Sequence, residues 1–222
     1  MGGRAGGGAS GGMGKGSRGG GFDFAREKTI LQSGLLSKWD KEGYEATMAS
    51  IDRNIKDPQM KEEMKAIVEK MHNEMGGLPG GRTGILIEIS NSAGFRKLGG
   101  SGFEYGVHGM DYVALNGRYF GHGYKQSENF MKGEMAKGKM TTVSKPAMKT
   151  FAHELGHGYY DRLSSGGKAQ VAKVFSQFTS SKSTKGWGSY AKKSPAEFYS
   201  DAVAKSVLGG SDKWTKALGK IK

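Results

Sequence analysis

The chain contains no cysteine. Disulfide staples, cysteine-ligated zinc and thiol nucleophiles are all excluded by that one absence. No run of about 18 apolar residues occurs either, which excludes a transmembrane helix, and the N-terminus lacks the apolar core of a secretory signal. Gly2 does not open a myristoylation motif, because position 6 is Gly6. The expectation is a chain with no membrane span that is cytoplasmic or delivered by a non-Sec route, as an effector or a virion component. Apolar residues make up only 36% of the 222, low for a chain that is globular throughout. Glycine accounts for much of the shortfall: 39 in all, twelve of them within residues 1–21. That segment has little to bury and cannot offset its ordering entropy, so it reads as a disordered tail.

Acidic residues are also short, 21 against 34 Lys and Arg, for a net charge of +13. The imbalance is uneven. Residues 22–75 carry 9 basic and 11 acidic side chains, whereas residues 151–222 carry 12 and five. A basic surface of this kind attracts an anionic partner or simply keeps the chain soluble.

Hydrophobic periodicity organises the rest. Ile51, Ile55, Met60, Met64, Ile67, Val68, Met71 and Met75 recur at three- and four-residue steps, a helical pattern with the methionines as core. Asp57-Pro58 restarts it, with Asp57 as N-cap and Pro58 in the first turn. A helix over 58–75 then ends at Gly76-Gly77. Residues 22–78 therefore read as a helical N-terminal region and 79–222 as a second domain. Ile85–Ile89 and Asp111–Leu115 read as strands separated by a glycine-rich loop over 91–109. Asn116-Gly117 signals a hairpin whose return strand is Arg118–Phe120. The sheet is expected to be small and antiparallel. Ser144 and Pro146 open a helix to Arg162. Another helix covers 167–180, with Val171, Val174, Phe175 and Phe178 inward. Ser194-Pro195 opens a last clear helix after a polar loop over 181–193. The fold class is α+β with a C-terminal helical lobe.

The helix over 146–162 carries His153-Glu154-Leu155-Gly156-His157. Its two histidines lie one turn apart on one face, able to reach one zinc ion. Glu154 lies beside them, placed to take a proton from an attacking water rather than to bind the metal. A catalytic zinc takes three protein ligands. The metzincin continuation fails, because Tyr160 and Leu163 stand where glycine and histidine are required. Beyond Asp161, the carboxylates before Asp212 are Glu197 and Asp201, four residues apart on the last clear helix. Glu197 is the candidate third ligand, and Asp201 a candidate hydrogen-bond acceptor for a ligating imidazole. Ser194-x-x-Glu197 also matches a capping box, so that alternative stays open. His108 and His122 sit in glycine-rich surroundings and read as surface or loop histidines, with a place at the border of the cleft as the alternative for either, and His72 as a C-terminal helix residue.

His-Glu-Leu-Gly-His, Tyr190 seven residues before Glu197, and the 40-residue interval from His157 to Glu197 together resemble the gluzincin metalloproteases of the anthrax lethal factor and Pro-Pro endopeptidase type. The resemblance covers about 144–208. It implies a zincin-like catalytic domain in which His153, His157 and Glu197 hold Zn2+ and Glu154 is the general base and later proton donor. It further implies that Tyr190 donates a hydrogen bond to the oxyanion and that Asp201 supports a ligating imidazole from behind. In such proteases an extended substrate pairs with an edge strand above the metal, and Gly84–Ser90 and Asp111–Leu115 are the candidates. The expected function is a zinc-dependent endopeptidase acting on a peptide or protein. The competing expectation is a basic virion- or toxin-associated structural or binding protein that keeps the fold.

Overall fold

In the computed structural model, which describes residues 35–221 apart from Met110, the stripe of Met and Ile between 51 and 75 lies inside. The tail expected over 1–21, and residues 22–34 of the helical region, lie outside the described residues. Helices α1 (Leu35–Asn54) and α2 (Pro58–Met75) carry the stripe. Ile51, Met60, Met64 and Met71 are wholly buried there, in one core with Ile87, Leu115, Phe151 and Phe198. Residues 37–222 form one unit. Asp57 starts two helices at once. One oxygen accepts from Met60 N at 2.8 Å, and the other accepts from Tyr124 N at 3.1 Å, where a later helix begins. Gly76 ends α2 at φ 73°, a conformation that favours glycine.

Three strands follow: β1 (Leu86–Ser90), β2 (Gly106–His108) and β3 (Tyr112–Asn116), in the order β1-β3-β2. The sheet is mixed, not antiparallel: β1 runs parallel to β3, and β2 antiparallel. Parallel pairing needs a crossover. The segment expected as a plain loop supplies it, with helix α3 (Ser92–Lys97) capped by Asn91. The hairpin at Asn116-Gly117 does not form. The Asn116 side chain accepts from Arg118 N at 3.0 Å and starts a short helix, α4 (Gly117–Phe120), where a return strand was expected. Its Nδ2 donates to Gly102 O and Glu104 O, which ties it to the strand side instead. The outer edge of β1 is closed by α1. Thr47 accepts from Ile85 N, Ser50 accepts from Ile87 N, and Asn54 donates to Ile87 O. These three lie on one helix face at i, i+3 and i+7.

The remaining helices are α5 (Tyr124–Ala136), α6 (Pro146–Arg162), α7 (Ser165–Thr179), α8 (Pro195–Val207) and α9 (Lys213–Leu218). Every residue of α6 from Pro146 to Gly156 is buried, the mark of a helix packed all round. Ser144 does not cap it; its hydroxyl donates to Leu208 O. Glu128 of α5 takes over that end, accepting from Ala147 N at 3.3 Å, a negative charge at the positive end of the helix dipole. Phe178, Trp187, Phe198 and Trp214 form the aromatic centre of the C-terminal lobe, as the ring contacts Phe178–Phe198 at 4.4 Å and Phe178–Trp214 at 5.5 Å record. Among the described residues no helix is long and apolar enough to cross a membrane. The fold is α+β, rich in helix.

Candidate metal centre

Helices α6 and α8 cross at Gly156 and Ser200. A Cβ on Gly156 would lie 2.8 Å from Ser200 Cα and 3.0 Å from Ser200 O, so only glycine permits the approach. That approach sets Glu197 of α8 against His153 and His157 of α6. Glu197 Oε2 lies 3.0 Å from His153 Nε2 and 3.3 Å from His157 Nε2, and the two nitrogens are 3.1 Å apart. Four-coordinate zinc with bonds of about 2.05 Å has ligands about 3.3 Å apart. The triangle has the edges of one tetrahedral face. Side-chain exposure rises from 5% at His153 to 12% at His157 and 19% at Glu197, so the group opens to solvent on one side.

The protonation pattern favours a cation there. His153 Nδ1 is 2.6 Å from Asp201 Oδ1. The Lys149 ammonium also lies 3.4 Å from Nδ1, so with a metal ion at Nε2 the ring would turn an Nδ1–H to Asp201. Nε2 faces the Glu197 carboxylate, so the gap between them takes a positive charge, either a ring proton or a metal ion. Without a metal, a ring proton supplies that charge. Burial and the Lys149 ammonium push His153 down, but Asp201 and Glu197 outweigh them and hold it up at about 9. Burial pushes Glu197 up, and the two imidazoles more than reverse it, holding the carboxyl well below its usual range. Residues His153, His157 and Glu197 could thus hold a metal ion.

Asp201 is fully buried and has three partners. Besides His153, it pairs with the buried Lys149 ammonium and accepts from Thr141 Oγ1. Lys149, one turn before His153, and these carboxylate contacts keep Asp201 ionised against burial. Neither Lys149 nor Thr141 was legible as a site residue. Thr141 also accepts from Gly188 N at 3.1 Å, which links Asp201 to the segment bearing Tyr190. Gly188 in turn must be glycine, since a Cβ would lie 2.4 Å from Met140 C. In the single helical turn Tyr190–Lys192, the Tyr190 ring stands at 64° to the His153 ring, 5.9 Å away. Burial first, and then Glu197 and Glu154, raise the Tyr190 hydroxyl above its usual range, so it remains an O–H donor. The capping alternative for Glu197 is half realised: its backbone N–H donates to Ser194 Oγ, while its carboxylate faces the imidazoles.

Glu154 lies on the same stripe of α6 as His157 and points towards β2. Gly106 sits against it; a Cβ there would lie 2.7 Å from Glu154 Cγ. His108, two residues on and on the same face of the strand, lies with Nδ1 3.5 Å from Glu154 Oε2 and Nε2 3.4 Å from Asp161 Oδ2. Burial pushes Glu154 up, but His108 and the imidazoles of His153 and His157 outweigh it and keep the carboxyl below its usual range. His108 therefore lies beside these carboxylates, the alternative to a surface or loop place; His122 stays away from them, exposed. A second group, His108, Glu154 and His157, also has its ligand atoms close together. Ring geometry rules it out as a metal cage. The two imidazoles stack with planes 6° apart and centroids at 4.6 Å, so their in-plane lone pairs run side by side and do not converge.

The strand available to an extended partner also differs from expectation. Asp111–Leu115 falls on the central strand, paired on both sides, and the outer edge of Gly84–Ser90 is closed by α1. The edge beside the site is β2. Gly109 N bonds Tyr112 O and Asn116 N bonds Tyr105 O. By antiparallel alternation Gly106 and His108 direct their backbone groups away from β3.

Comparisons of the chain with family models, with curated proteins and with solved structures found no match.

Proposed function

We propose that the chain is a zinc-dependent endopeptidase with a zincin-like catalytic domain, in which His153, His157 and Glu197 hold the metal. The observation that carries this reading is the triangle of those three ligand atoms, open on one side, with the ionised carboxylate of Glu154 one residue from His153. A zinc ion there supplies Lewis acidity and lowers the pKa of a water molecule towards neutrality. Glu154 accepts the proton of the attacking water and returns it to the leaving amine. Tyr190, kept protonated by its burial, donates its O–H where negative charge develops on the scissile carbonyl oxygen. Asp201 fixes the His153 tautomer, and Lys149 and Thr141 hold Asp201. The free edge of β2 receives the peptide backbone as an added strand. The test is metal content together with a peptide-library digest of the zinc-loaded chain. One zinc per chain, lost in His153→Ala, and cleavage abolished in Glu154→Gln are the expected results; cleavage that survives Glu154→Gln refutes the mechanism.

One observation favours a second reading, a basic virion- or toxin-associated binding protein with this fold. Between Arg162 and Ile221 every acidic side chain is engaged: Glu197 by the imidazoles, Asp201 by Lys149, and Asp212 by Lys205 and Trp187 Nε1. Lys173, Lys182, Lys185, Lys192, Lys213 and Lys216 are exposed there. Such a surface suits an anionic partner. Binding to nucleic acid that weakens steeply with salt, with no peptide cleaved by the zinc-loaded chain, would establish it over the first.

A further inference from the structure

We propose that His108 is the positioning residue for Glu154, with Asp161 as its anchor, an inference that rests on the hydrolytic reading above. Glu154, His157 and Asp161 form one stripe along α6, at i, i+3 and i+7. His108 reaches across this whole stripe from β2. Its two nitrogens face the two carboxylates at 3.5 and 3.4 Å, and its ring lies flat on His157 between them. A ring with a carboxylate at each edge and a second ring against one face is restricted in how it turns. The Glu154 carboxylate is thereby confined between His108 on one side and the Gly106 backbone on the other, where even a methyl group would come within 2.9 Å of Oε1.

This confinement matters because a general base works only within hydrogen-bond reach of the proton it takes, and a misplacement of about 1 Å costs about 100-fold in rate. Glutamate has three rotatable bonds before its carboxylate. The contact of 3.5 Å is of the length that tightens once a reacting complex forms. Asp161, whose side chain is 59% exposed against 26% for His108, orients the far nitrogen as a carboxylate orients the far nitrogen of a working imidazole. A metal-binding role for His108 is already excluded by the parallel rings, which leaves hydrogen bonding and stacking, and these two separate by substitution. His108→Phe keeps the flat ring and loses both nitrogens. His108→Asn places an amide donor near the position of Nδ1, towards Glu154. His108→Gln places one near Nε2, towards Asp161.

The experiment uses the full chain loaded with zinc. Zinc stoichiometry, melting temperature, acetohydroxamate affinity, and kcat and KM on a cleaved peptide are measured for each variant. All variants are expected to hold one zinc. His108→Phe and His108→Gln lower kcat about 10- to 100-fold with KM unchanged, and His108→Asn recovers most of it. Asp161→Asn lowers kcat by less than His108→Phe. Adding His108→Phe to Glu154→Gln costs nothing further, because no base is left to position. Wild-type kcat in His108→Phe, equal kcat in the Asn and Gln variants, or additive losses with Glu154→Gln overturn the inference. Acetohydroxamate reads the same geometry without turnover, since its hydroxyl proton must find the Glu154 carboxylate. Its affinity is expected to fall in Glu154→Gln and His108→Gln and to hold in His108→Asn; an affinity indifferent to His108→Gln overturns the inference while leaving the zinc site standing. A chain that takes up no zinc overturns both.

Discussion

Gly156 offers the sharpest test of how the site is assembled, because two effects of known sign oppose each other there. Glycine inside a helix costs about 1 kcal/mol relative to alanine, so Gly156→Ala would stabilise α6 if nothing stood in the way. The Ser200 backbone stands in the way. The new Cβ would lie 2.8 Å from Ser200 Cα and 3.2 Å from its Cβ, against a preferred carbon–carbon separation of about 3.5–4.0 Å. The obstacle is backbone on a buried helix, so relief requires α6 and α8 to part by about 0.7–1 Å at the crossing. Glu197 sits one turn from Ser200 on the same rigid helix. Its separations of 3.0 and 3.3 Å from the two imidazole nitrogens would open towards about 4 Å, beyond the spacing that one tetrahedral zinc spans. Overpacking of this kind costs about 1–3 kcal/mol. The net change in stability is then a loss of up to about 2 kcal/mol, a few degrees in Tm for a unit of this size. The larger effect is expected in zinc affinity, down at least about tenfold in competition with a chromophoric chelator. Gly133 is the control. It lies inside α5 with nothing within 4 Å of its missing Cβ, so Gly133→Ala raises Tm and leaves zinc affinity alone. If Gly156→Ala behaves like Gly133→Ala, the claim that the crossing builds the site is wrong.

Four further outcomes are expected. Chelation with EDTA lowers Tm by about 5–10 °C relative to zinc held at 100 times its Kd, the equivalent of about 2.7 kcal/mol, and His153→Ala removes that difference in a melt. Tyr190→Phe retains zinc and lowers kcat about 100-fold; an unchanged kcat would remove Tyr190 from the mechanism. Lys149→Met leaves the buried Asp201 carboxylate without its ammonium and destabilises by about 3–5 kcal/mol. Adding Asp201→Asn recovers part of this, and a denaturation double-mutant cycle with no coupling refutes the pairing. Glu134 is buried among Tyr105, Lys137 and Lys139, and its carboxyl is held down at about 2, first by Lys137 and then by Tyr105. An unfolded glutamate titrates near about 4.3. The stabilisation is therefore full above that pH and lost as pH falls towards 2, so Tm of Glu134→Gln should decline less than wild type across that window.

What local spacing can encode was legible, and what long-range pairing decides was not. Asp57-Pro58, the Met stripe and the His-x-x-x-His turn are all local, and α2 and α6 follow them closely. Glu197 and Asp201 share a helix face by spacing, but nothing in the sequence says that the face meets α6; Gly156 and Ser200 decide that by permitting contact. Lys149 is illegible for a related reason. A lysine on a helix ordinarily faces solvent, and only a helix packed on every side turns it into the partner of a buried carboxylate. The Asn116-Gly117 hairpin signal was overridden by the bonds of the Asn116 side chain to Gly102 O, Glu104 O and Arg118 N. β2 is three residues long, starts on Gly106 and is followed by Gly109, too short for the alternation that marks a strand, which is why His108 read as loop. One trace of it does exist in the sequence. In Gly106-Val107-His108 a period of two puts an absent side chain and an imidazole on the same face, and that pairing has a physical meaning once a carboxylate is known to lie beneath: the glycine leaves room for Glu154, and the imidazole sets a nitrogen 3.5 Å from its carboxylate.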